Sequence, residues 1–319
     1  MIQLGYSLSS EEFRPQELVA QARRAEEAGF RFALISDHFH PWMDRQGQSP
    51  FVWSTLGGIA QVTSHIELGT GVTAPIIRTH PAIVAQAAAT VADMLPGRFF
   101  LGVGTGEYLN EHITGEHWPP IARRQEMLTE AVAVIRKLWE GRATTHYGTF
   151  YTVENARLYT LPETVPPIHV AASGPLSAQL AGEIGDGLIS TSPEAELVQT
   201  FTTSGGDGKP RYGQMQVCWA EDEREARQTA RDVWGYSALP GQLSQELALP
   251  AYYDAAAELV TPELIAKQVV CGPNVDAYLE KIQQYSDAGF THVYLHQIGP
   301  DQEGYLRFAE RELLPRFAS

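Results

Sequence analysis

The feature that most constrains the fold is an alternation of short apolar runs with amphipathic helical stretches along all 319 residues. Eight of the runs are predicted strands: residues 2–8, 32–36, 66–73, 98–103, 168–172, 187–191, 213–219 and 292–297. Most are apolar without clean alternation, which is expected when helices cover both faces of a sheet. Strand–helix alternation favours a parallel sheet. We therefore predict an α/β fold, a single (β/α)8 TIM barrel with insertions, with a doubly wound sheet as the alternative.

The helical stretches carry start and stop signals. Pro15 can open a helix over residues 15–28, and Gly29 can close it in a left-handed turn. No linker rich in Pro, Gly and Ser divides the chain, so we predict one domain over residues 1–319. Two excursions interrupt the rhythm, a hairpin at about 144–160 and an irregular insertion at about 235–261.

Composition excludes several classes of protein. The net charge of −15 repels phosphate backbones and anionic lipids, so we expect no nucleic-acid partner and no membrane partner. The two cysteines, Cys218 and Cys271, exclude a disulfide scaffold and a cysteine-rich metal site. The first residues lack a basic segment followed by an apolar one, and no run approaches the length of a membrane span. We therefore expect a cytoplasmic protein.

Chemistry-bearing side chains follow several of the predicted strands. Asp37, His38 and Trp42 come after the second strand, and Glu107 and Asn110 come after the fourth. Glycine turns follow the third, fourth and fifth strands. In a (β/α)8 barrel the carboxyl ends of all strands meet at one face, where active sites are built. The sequence therefore predicts an active site at that face.

Two other motifs compete for the same residues. The run 102–107 resembles a dinucleotide-binding fingerprint, but Glu107 stands where that motif requires its third glycine. His38 and His40 form an H-x-H pair, which can bind zinc when other strand ends supply further ligands. A metal-dependent TIM-barrel hydrolase using His38 and His40 is therefore an alternative from a different enzyme class.

The motifs SDHFHPW at 36–42, FFLGVGTGE at 99–107 and AGEIGDGLISTS at 181–192 carry a family resemblance. Together they resemble the luciferase-like (β/α)8 oxidoreductases that use coenzyme F420, an 8-hydroxy-5-deazaflavin. Within that family the chain is most similar to the F420-dependent glucose-6-phosphate dehydrogenase group, and the resemblance runs nearly end to end. An FMN-dependent luciferase-like monooxygenase or reductase on the same fold is the alternative.

The resemblance implies roles for individual residues. The implied catalytic residues are His38, Glu107 and Trp42. The implied cofactor-binding residues are Asp37, Gly71, Val72, Ala74, Thr105, Gly106, Asn110, Ser173, Gly174, Leu176 and Ser177. The implied substrate-binding residues are Glu11, Thr191 and Glu194, and no metal ligand is implied. In relatives the peptide at the place of Gly71-Val72 is a cis peptide without proline.

The implied reaction is hydride transfer between an alcohol, hemiacetal or sugar-type substrate and C5 of the deazaflavin. An alcohol that donates a hydride must also lose its O–H proton. Histidine suits this step because the ordinary pKa of an imidazole, about 6.5, lies near working pH. Trp42 would shield the reaction centre, and Glu107 would face the negative charge that the reduced ring gathers.

Two departures from the glucose-6-phosphate group bear on the substrate. Glu194 and Ala255 stand where that group has phosphate-binding lysines. A unit charge pair at about 6 Å in an effective dielectric of about 20 is worth roughly 3 kcal/mol, so replacing Lys by Glu weakens phosphate binding strongly. We therefore expect an unphosphorylated substrate.

The resemblance also implies a homodimer.

Overall fold

The structure, a computed structural model, describes residues 2–239, 241 and 243–317. Within these residues eight parallel strands form a closed barrel: β1 (Gln3–Leu8), β2 (Phe32–Ile35), β3 (Glu67–Thr70), β4 (Phe99–Val103), β7 (Ile168–Ala171), β8 (Gly187–Ser190), β9 (Arg211–Cys218) and β11 (His292–Gln297). They pair in the order β11-β1-β2-β3-β4-β7-β8-β9, and β9 pairs with β11 to close the ring. The predicted (β/α)8 barrel is confirmed.

The helices follow the strands along the chain, and most of the longer ones bury apolar faces against the barrel. They are α1 (Pro15–Ala28), α2 (Val52–Ala60), α3 (Pro81–Met94), α4 (Tyr108–Glu111), α5 (Ile121–Leu138), α6 (Pro175–Ile184), α7 (Ala195–Phe201), α8 (Glu223–Trp234), α9 (Leu243–Glu246), α10 (Pro250–Ala257), α11 (Pro262–Ile265), α12 (Val275–Asp287) and α13 (Gln302–Phe308). Helix α1 ends at Gly29, whose φ of 104° is the left-handed conformation that glycine adopts without cost. No helix among the described residues is long and apolar enough to cross a membrane.

Two segments lie outside the regular repeat. Strands β5 (Thr144–Tyr147) and β6 (Thr152–Ala156) pair antiparallel, and the Glu130 carboxylate on α5 accepts hydrogen bonds from the backbone of the turn between them. Residues 235–261 contain a 3-10 turn (Gly235–Ala238) and the short helices α9 and α10. Residues 240 and 242 of this insertion lie outside the described residues. The short strand β10 (Val270–Cys271) follows and pairs with β9.

Helix α13 is α-helical only to Phe308. A π-helical turn covers Ala309–Leu313, and a 3-10 turn covers Leu314–Arg316. Pro315 lies in the last turn, where its ring cannot continue the i to i−4 hydrogen-bond pattern of an α-helix. The last helix therefore continues as a π-helical turn and a 3-10 turn and not as a regular α-helix.

Large side chains fill the interior of the barrel. The apolar interior contains Phe32, Leu34, Phe100, Ile189, Tyr212 and Tyr294. Glycine on neighbouring strands makes room for the rings. A Cβ at Gly69 would lie 2.0 Å from the Phe100 ring, so only glycine fits there. The interior is thus a packed core that leaves the carboxyl-end mouth as the place for a site.

The amino-terminal end of the barrel contains two histidines, His169, which is buried, and His292, which is half-buried. Tyr212 stacks on His292 at 4.3 Å between ring centroids and on His169 at 5.1 Å. Burial lowers the pKa of His169 to about 3 and that of His292 to about 4, since removing an imidazolium from water is costly. Both rings are therefore neutral in the folded protein at pH 7.

The protein should lose stability as the pH falls below about 6.5. An unfolded histidine binds a proton there, whereas His169 in the folded state binds one only near its lowered pKa of about 3. At pH 5 this difference costs about 2 kcal/mol of unfolding free energy for His169, at about 1.4 kcal/mol per pH unit. Urea unfolding at pH 7.5 and pH 5 measures it. When the pH is lowered from 7.5 to 5, the variant His169→Gln should lose less stability than wild type. The variant His65→Gln, which changes an exposed histidine, should lose as much stability as wild type. Equal losses in His169→Gln and wild type would contradict the assignment.

Candidate active site

His38 lies directly after β2 at the carboxyl end of the barrel and is buried. Its Nδ1 is 3.2 Å from the His40 carbonyl oxygen and 3.5 Å from Oε1 of Glu11. The Glu11 carboxylate, only 2% exposed, also accepts hydrogen bonds from the hydroxyls of Ser36 (2.7 Å) and Ser9 (3.1 Å). These contacts fix the Nδ1 side of the ring, so Nε2 is the nitrogen left to accept a proton.

Trp42 forms an aromatic wall beside His38. The two ring centroids are 4.9 Å apart. On other sides Trp42 stacks on Tyr236 at 4.7 Å and meets the edge of Tyr253 at 5.5 Å. Tyr236 and Tyr253 belong to the 235–261 insertion, which therefore packs over the barrel mouth. This packing holds the indole beside the imidazole.

Asp37 takes part in a buried charge network. Thr73 donates a hydrogen bond from its hydroxyl to Asp37 (2.8 Å), and the Arg78 guanidinium donates to the other carboxylate oxygen (3.1 Å). Arg78 also lies against Glu111, with 3.5 Å between Nε and Oε1 and a 2.8 Å hydrogen bond from its backbone N–H. Burial raises the pKa of Glu111 to about 7 despite this arginine. Arg78 is thus the cation that keeps two buried carboxylates together.

The loop after β4 brings Glu107 to the mouth. Glu107 is half-buried and receives a 3.4 Å hydrogen bond from the Asn110 amide nitrogen. The Asn110 amide oxygen accepts from the backbone N–H groups of Phe39 (2.9 Å) and His40 (3.1 Å). Asn110 therefore joins this loop to the loop that holds His38.

Gly106 in the same loop has a φ of +69°, a conformation that favours glycine. A Cβ there would lie 2.9 Å from Glu111 and 3.1 Å from Ala74. The backbone of the 105–107 loop thus lies directly on Glu111 and Ala74, with Thr105 half-buried beside it.

The peptide bond between Gly71 and Val72 is cis, as the resemblance implies. Val72 is half-buried and packs against the apolar interior of the barrel. A Cβ at Gly104 would lie 2.7 Å from a methyl group of Val72, so the turns after β3 and β4 are in close contact. Gly71, Val72 and Ala74 therefore share the mouth with the 105–107 loop.

The loop after β7 ends at the amino terminus of helix α6. The Ser177 hydroxyl accepts from the N–H groups of Ser173 and Gly174, both at 3.2 Å. A side chain at Gly174 would project into open space, with no heavy atom within 4 Å. Leu176 next to it is 70% exposed. The open start of a helix of this length suits an anionic group.

The predicted substrate residues differ in their exposure. Glu11 is joined to His38 as described. Thr191 and Glu194 follow β8 and are exposed, and Ala255 is exposed on α10. Glu194 is the residue before α7. These three positions are exposed, whereas Glu11 and His38 are buried.

The side chain of His40 is held by contacts with other residues of the protein. Its Nδ1 lies 2.9 Å from the Leu109 carbonyl oxygen, and its ring stacks on His112. Within the described part of the chain, no group of three or more His, Cys, Asp and Glu side chains could hold a metal ion. The geometry of His38 and His40 gives no support to the zinc-hydrolase alternative.

Arg78, Glu111 and Tyr236 are residues of the site for which the sequence predicted no role. Arg78 lies in the loop after β3, and Glu111 lies in α4. The one feature of the sequence that could have identified them is their position after a predicted strand. Tyr236 lies in the insertion, for which the sequence predicted no regular structure. These residues join the site only through contacts between distant parts of the chain.

The mouth thus brings an imidazole, carboxylates and an indole to the carboxyl end of a parallel barrel, which is the arrangement of a TIM-barrel enzyme. The family described as luciferase-like monooxygenase matches residues 1–292. The chain therefore belongs to this family.

Curated relatives match over nearly the whole chain. An F420-dependent glucose-6-phosphate dehydrogenase from Microbacterium testaceum is 36% identical over 99% of this chain and 97% of its own length. Another from Segniliparus rotundus is 37% identical over 100% of this chain and 98% of its own.

Solved structures agree on the fold. An F420-dependent secondary alcohol dehydrogenase in complex with an F420–acetone adduct has a TM-score of 0.93 and 31% identity, covering 100% of this chain and 99% of that one. An F420-dependent tetrahydromethanopterin reductase from Methanopyrus kandleri has a TM-score of 0.82 over 99% of each chain, at 21% identity. The second likeness shows the fold alone.

Proposed function

We propose that this protein is a coenzyme F420-dependent oxidoreductase that transfers a hydride between the carbinol carbon of an alcohol, hemiacetal or sugar-type substrate and C5 of the deazaflavin. The observation that carries the proposal is the buried Glu11–His38 pair beside Trp42 at the barrel mouth. Relatives that are 31–37% identical over the whole chain and named as F420-dependent dehydrogenases support the choice of cofactor.

The mouth fits a flat ring with an anionic tail. The turns at Gly71-Val72 and at 104–107 are in close contact and present backbone and small side chains, which a planar ring can approach. Gly174 at the start of α6 faces open space that a side chain would fill. The residues that would hold the cofactor are Asp37, Gly71, Val72, Ala74, Thr105, Gly106, Asn110, Ser173, Gly174, Leu176 and Ser177. Coenzyme F420 supplies a carbon centre that accepts or donates a hydride.

The protein's own residues handle the proton. Nε2 of His38 accepts the proton of the substrate hydroxyl as the C–H bond breaks. The Glu11 carboxylate and the His40 carbonyl oxygen, both near Nδ1, stabilise the imidazolium that forms. Because Glu11 is itself held by Ser36 and Ser9, the base keeps one orientation before and after proton transfer.

Trp42 and Glu107 complete the arrangement. Trp42 excludes water from one side of His38 and limits the positions a bound alcohol can take. Glu107, held by Asn110, lies on the other loop of the mouth. We propose that it interacts with the pyrimidine end of the ring, where negative charge gathers on reduction.

We also propose that the substrate is unphosphorylated, because Glu194 and Ala255 replace lysines of the sugar-phosphate group. The variant Glu194→Lys should lower the Michaelis constant for glucose 6-phosphate about tenfold or more and change turnover little, since the contact is far from the reacting carbon. Steady-state kinetics on both proteins measures this. Glu196→Lys, a change at an exposed position in the first turn of α7, is the matched control. Wild-type oxidation of glucose 6-phosphate as efficient as that of the best neutral substrate would contradict the proposal.

A screen of neutral alcohols and sugars tests the proposed function. Each is mixed with the protein and oxidised coenzyme F420, and loss of the deazaflavin absorbance band is recorded. At least one secondary alcohol or sugar should give loss that depends on the protein. Reduction of FMN by NADPH, with F420 inert, would favour the FMN alternative instead.

We further propose a homodimer in which residues 1–319 of each chain form one domain. Exposed apolar side chains occur at Phe51 (57%), the residue before α2, and at Ile83 (56%) on the neighbouring helix α3, and such side chains suit an isologous interface. Light scattering should give twice the chain mass of 35.1 kDa. A mass of one chain at micromolar concentration would overturn the dimer.

A further inference from the structure

A second carboxylate–imidazole pair lies next to the first. Glu12 follows Glu11 after β1, and its Oε1 is 3.5 Å from Nε2 of His296 near the end of β11. His296 is 2% exposed, and its two ring nitrogens and Oε1 of Glu12 are buried without a hydrogen-bond partner among the described residues. The other Glu12 oxygen accepts from the Gly299 N–H at 2.9 Å.

His296 points into the barrel. On β11 the side chains of His292 and Tyr294 both contact the interior residue Tyr212 or its cluster. Alternate residues of a strand face the same side, so His296 faces the interior one layer nearer the carboxyl end. It therefore belongs to the mouth and not to the layer between barrel and helices.

The two pairs share one aromatic wall. The edge of Trp234 meets His296 at 4.3 Å between ring centroids, and Trp234 lies 5.0 Å from Tyr236. Tyr236 in turn stacks on Trp42, which contacts His38. A continuous run of rings thus leads from one histidine to the other.

The charges around Tyr236 are consistent with this arrangement of the two pairs. Burial raises the pKa of its hydroxyl well above the ordinary value, and the negative charges of Glu11, Glu107 and Glu12 add to that shift. The three carboxylates therefore lie near enough to this hydroxyl for their charges to act on it.

We infer that Glu12 and His296 bind a second hydroxyl group of the substrate, so that the preferred substrate is a diol or polyol. This rests on the proposed function, in which the first hydroxyl is oxidised at His38. Buried polar atoms are normally hydrogen-bonded, and a hydroxyl can donate to the carboxylate while it accepts from the imidazole. A substrate with only one hydroxyl leaves the His296 nitrogen and the Glu12 oxygen without a partner. A site built to bind a hydroxyl rejects an analogue that lacks it for this reason.

The spacing selects the size of the substrate. Strands β11, β1 and β2 are consecutive in the barrel, so the ends of β11 and β2 are two strand spacings apart, roughly 10 Å. Two hydrogen bonds of about 3 Å take up part of this distance. The two oxygens are then a few ångströms apart, as in a 1,3-diol or a sugar ring.

The test uses cyclohexane-1,3-diol and cyclohexanol as matched probes. Wild type should prefer the diol at least about tenfold in kcat/KM. His296→Leu and Glu12→Gln should each reduce kcat/KM for the diol about 10- to 100-fold and that for cyclohexanol about threefold or less. Affinity for coenzyme F420 should stay unchanged in both variants.

The variant His146→Leu is the matched control, because His146 is also paired with a glutamate, Glu130 at 3.1 Å, but on the distant hairpin. It should keep the wild-type preference. Equal losses for diol and cyclohexanol in His296→Leu would show that Glu12 and His296 form a structural pair only and would overturn the inference.

Calorimetry separates this inference from the proposed function. The dissociation constants of both probes are measured without cofactor for wild type and His296→Leu. Tighter binding of the diol that is lost in His296→Leu supports the second hydroxyl site even if coenzyme F420 is not reduced. Reduction of coenzyme F420 by cyclohexanol, together with equal affinity for the two probes in wild type, would overturn the site and leave the proposed function intact.

Discussion

Replacing His38 with alanine should lower turnover about a hundredfold or more and leave affinity for coenzyme F420 within about twofold. A positioned base contributes about this much to a proton-transfer step. The loss should appear in kcat, because the Glu11–His38 pair acts on the hydroxyl proton during reaction. Steady-state kinetics and a cofactor titration measure the two quantities on the same preparation.

Two further variants sharpen the His38 experiment. Glu11→Gln keeps the shape of the side chain but removes the charge beside Nδ1, so it should give a smaller loss than His38→Ala. His65→Ala removes an exposed histidine and should behave as wild type. Added imidazole should restore part of the activity of His38→Ala. An unchanged turnover number in His38→Ala would reject its role as the base.

Replacing Arg78 with methionine should lower the free energy of unfolding by about 3–5 kcal/mol. Arg78 is the cation between the buried carboxylates of Asp37 and Glu111, and removing one partner of a buried ion pair leaves the other charge uncompensated. Affinity for coenzyme F420 should fall as well, because Asp37 loses the group that holds it. Urea unfolding and a cofactor titration provide the two readouts.

The double variant Arg78→Met/Asp37→Asn should recover part of the lost stability, since it also removes the carboxylate that the guanidinium compensates; Glu111, whose pKa burial already raises to about 7, takes up a proton when Arg78 is removed. Arg136→Met is the matched control. Its guanidinium pairs with Asp186 at the surface, where an ion pair is worth about 0–1 kcal/mol. If Arg78→Met were no more destabilising than Arg136→Met, the network would not hold Asp37 in place.

Local signals made much of the fold predictable. Helix α1 begins at Pro15 and ends before Gly29 because proline and glycine act on their own turns. The position of His38 near Trp42 also follows from the sequence, since both lie in one loop after one strand. The barrel then brings the ends of its strands to one face.

Contacts between distant segments were not predictable in the same way. Arg78 and Glu111 are 33 residues apart, and only the adjacency of β3 and β4 brings their loops together. Tyr236 reaches Trp42 because the insertion folds over the mouth, and no local pattern specifies that direction. The Glu12–His296 contact depends on closure of the barrel, which makes the first and last strands neighbours.

The most direct test of the account is a titration of the purified protein with oxidised coenzyme F420 and, separately, with FMN. The predicted result is a change in deazaflavin absorbance or fluorescence that saturates at low micromolar concentration, with FMN bound at least about 100-fold more weakly, a difference of about 2.7 kcal/mol. Tight binding of FMN without detectable binding of coenzyme F420 would contradict the central claim.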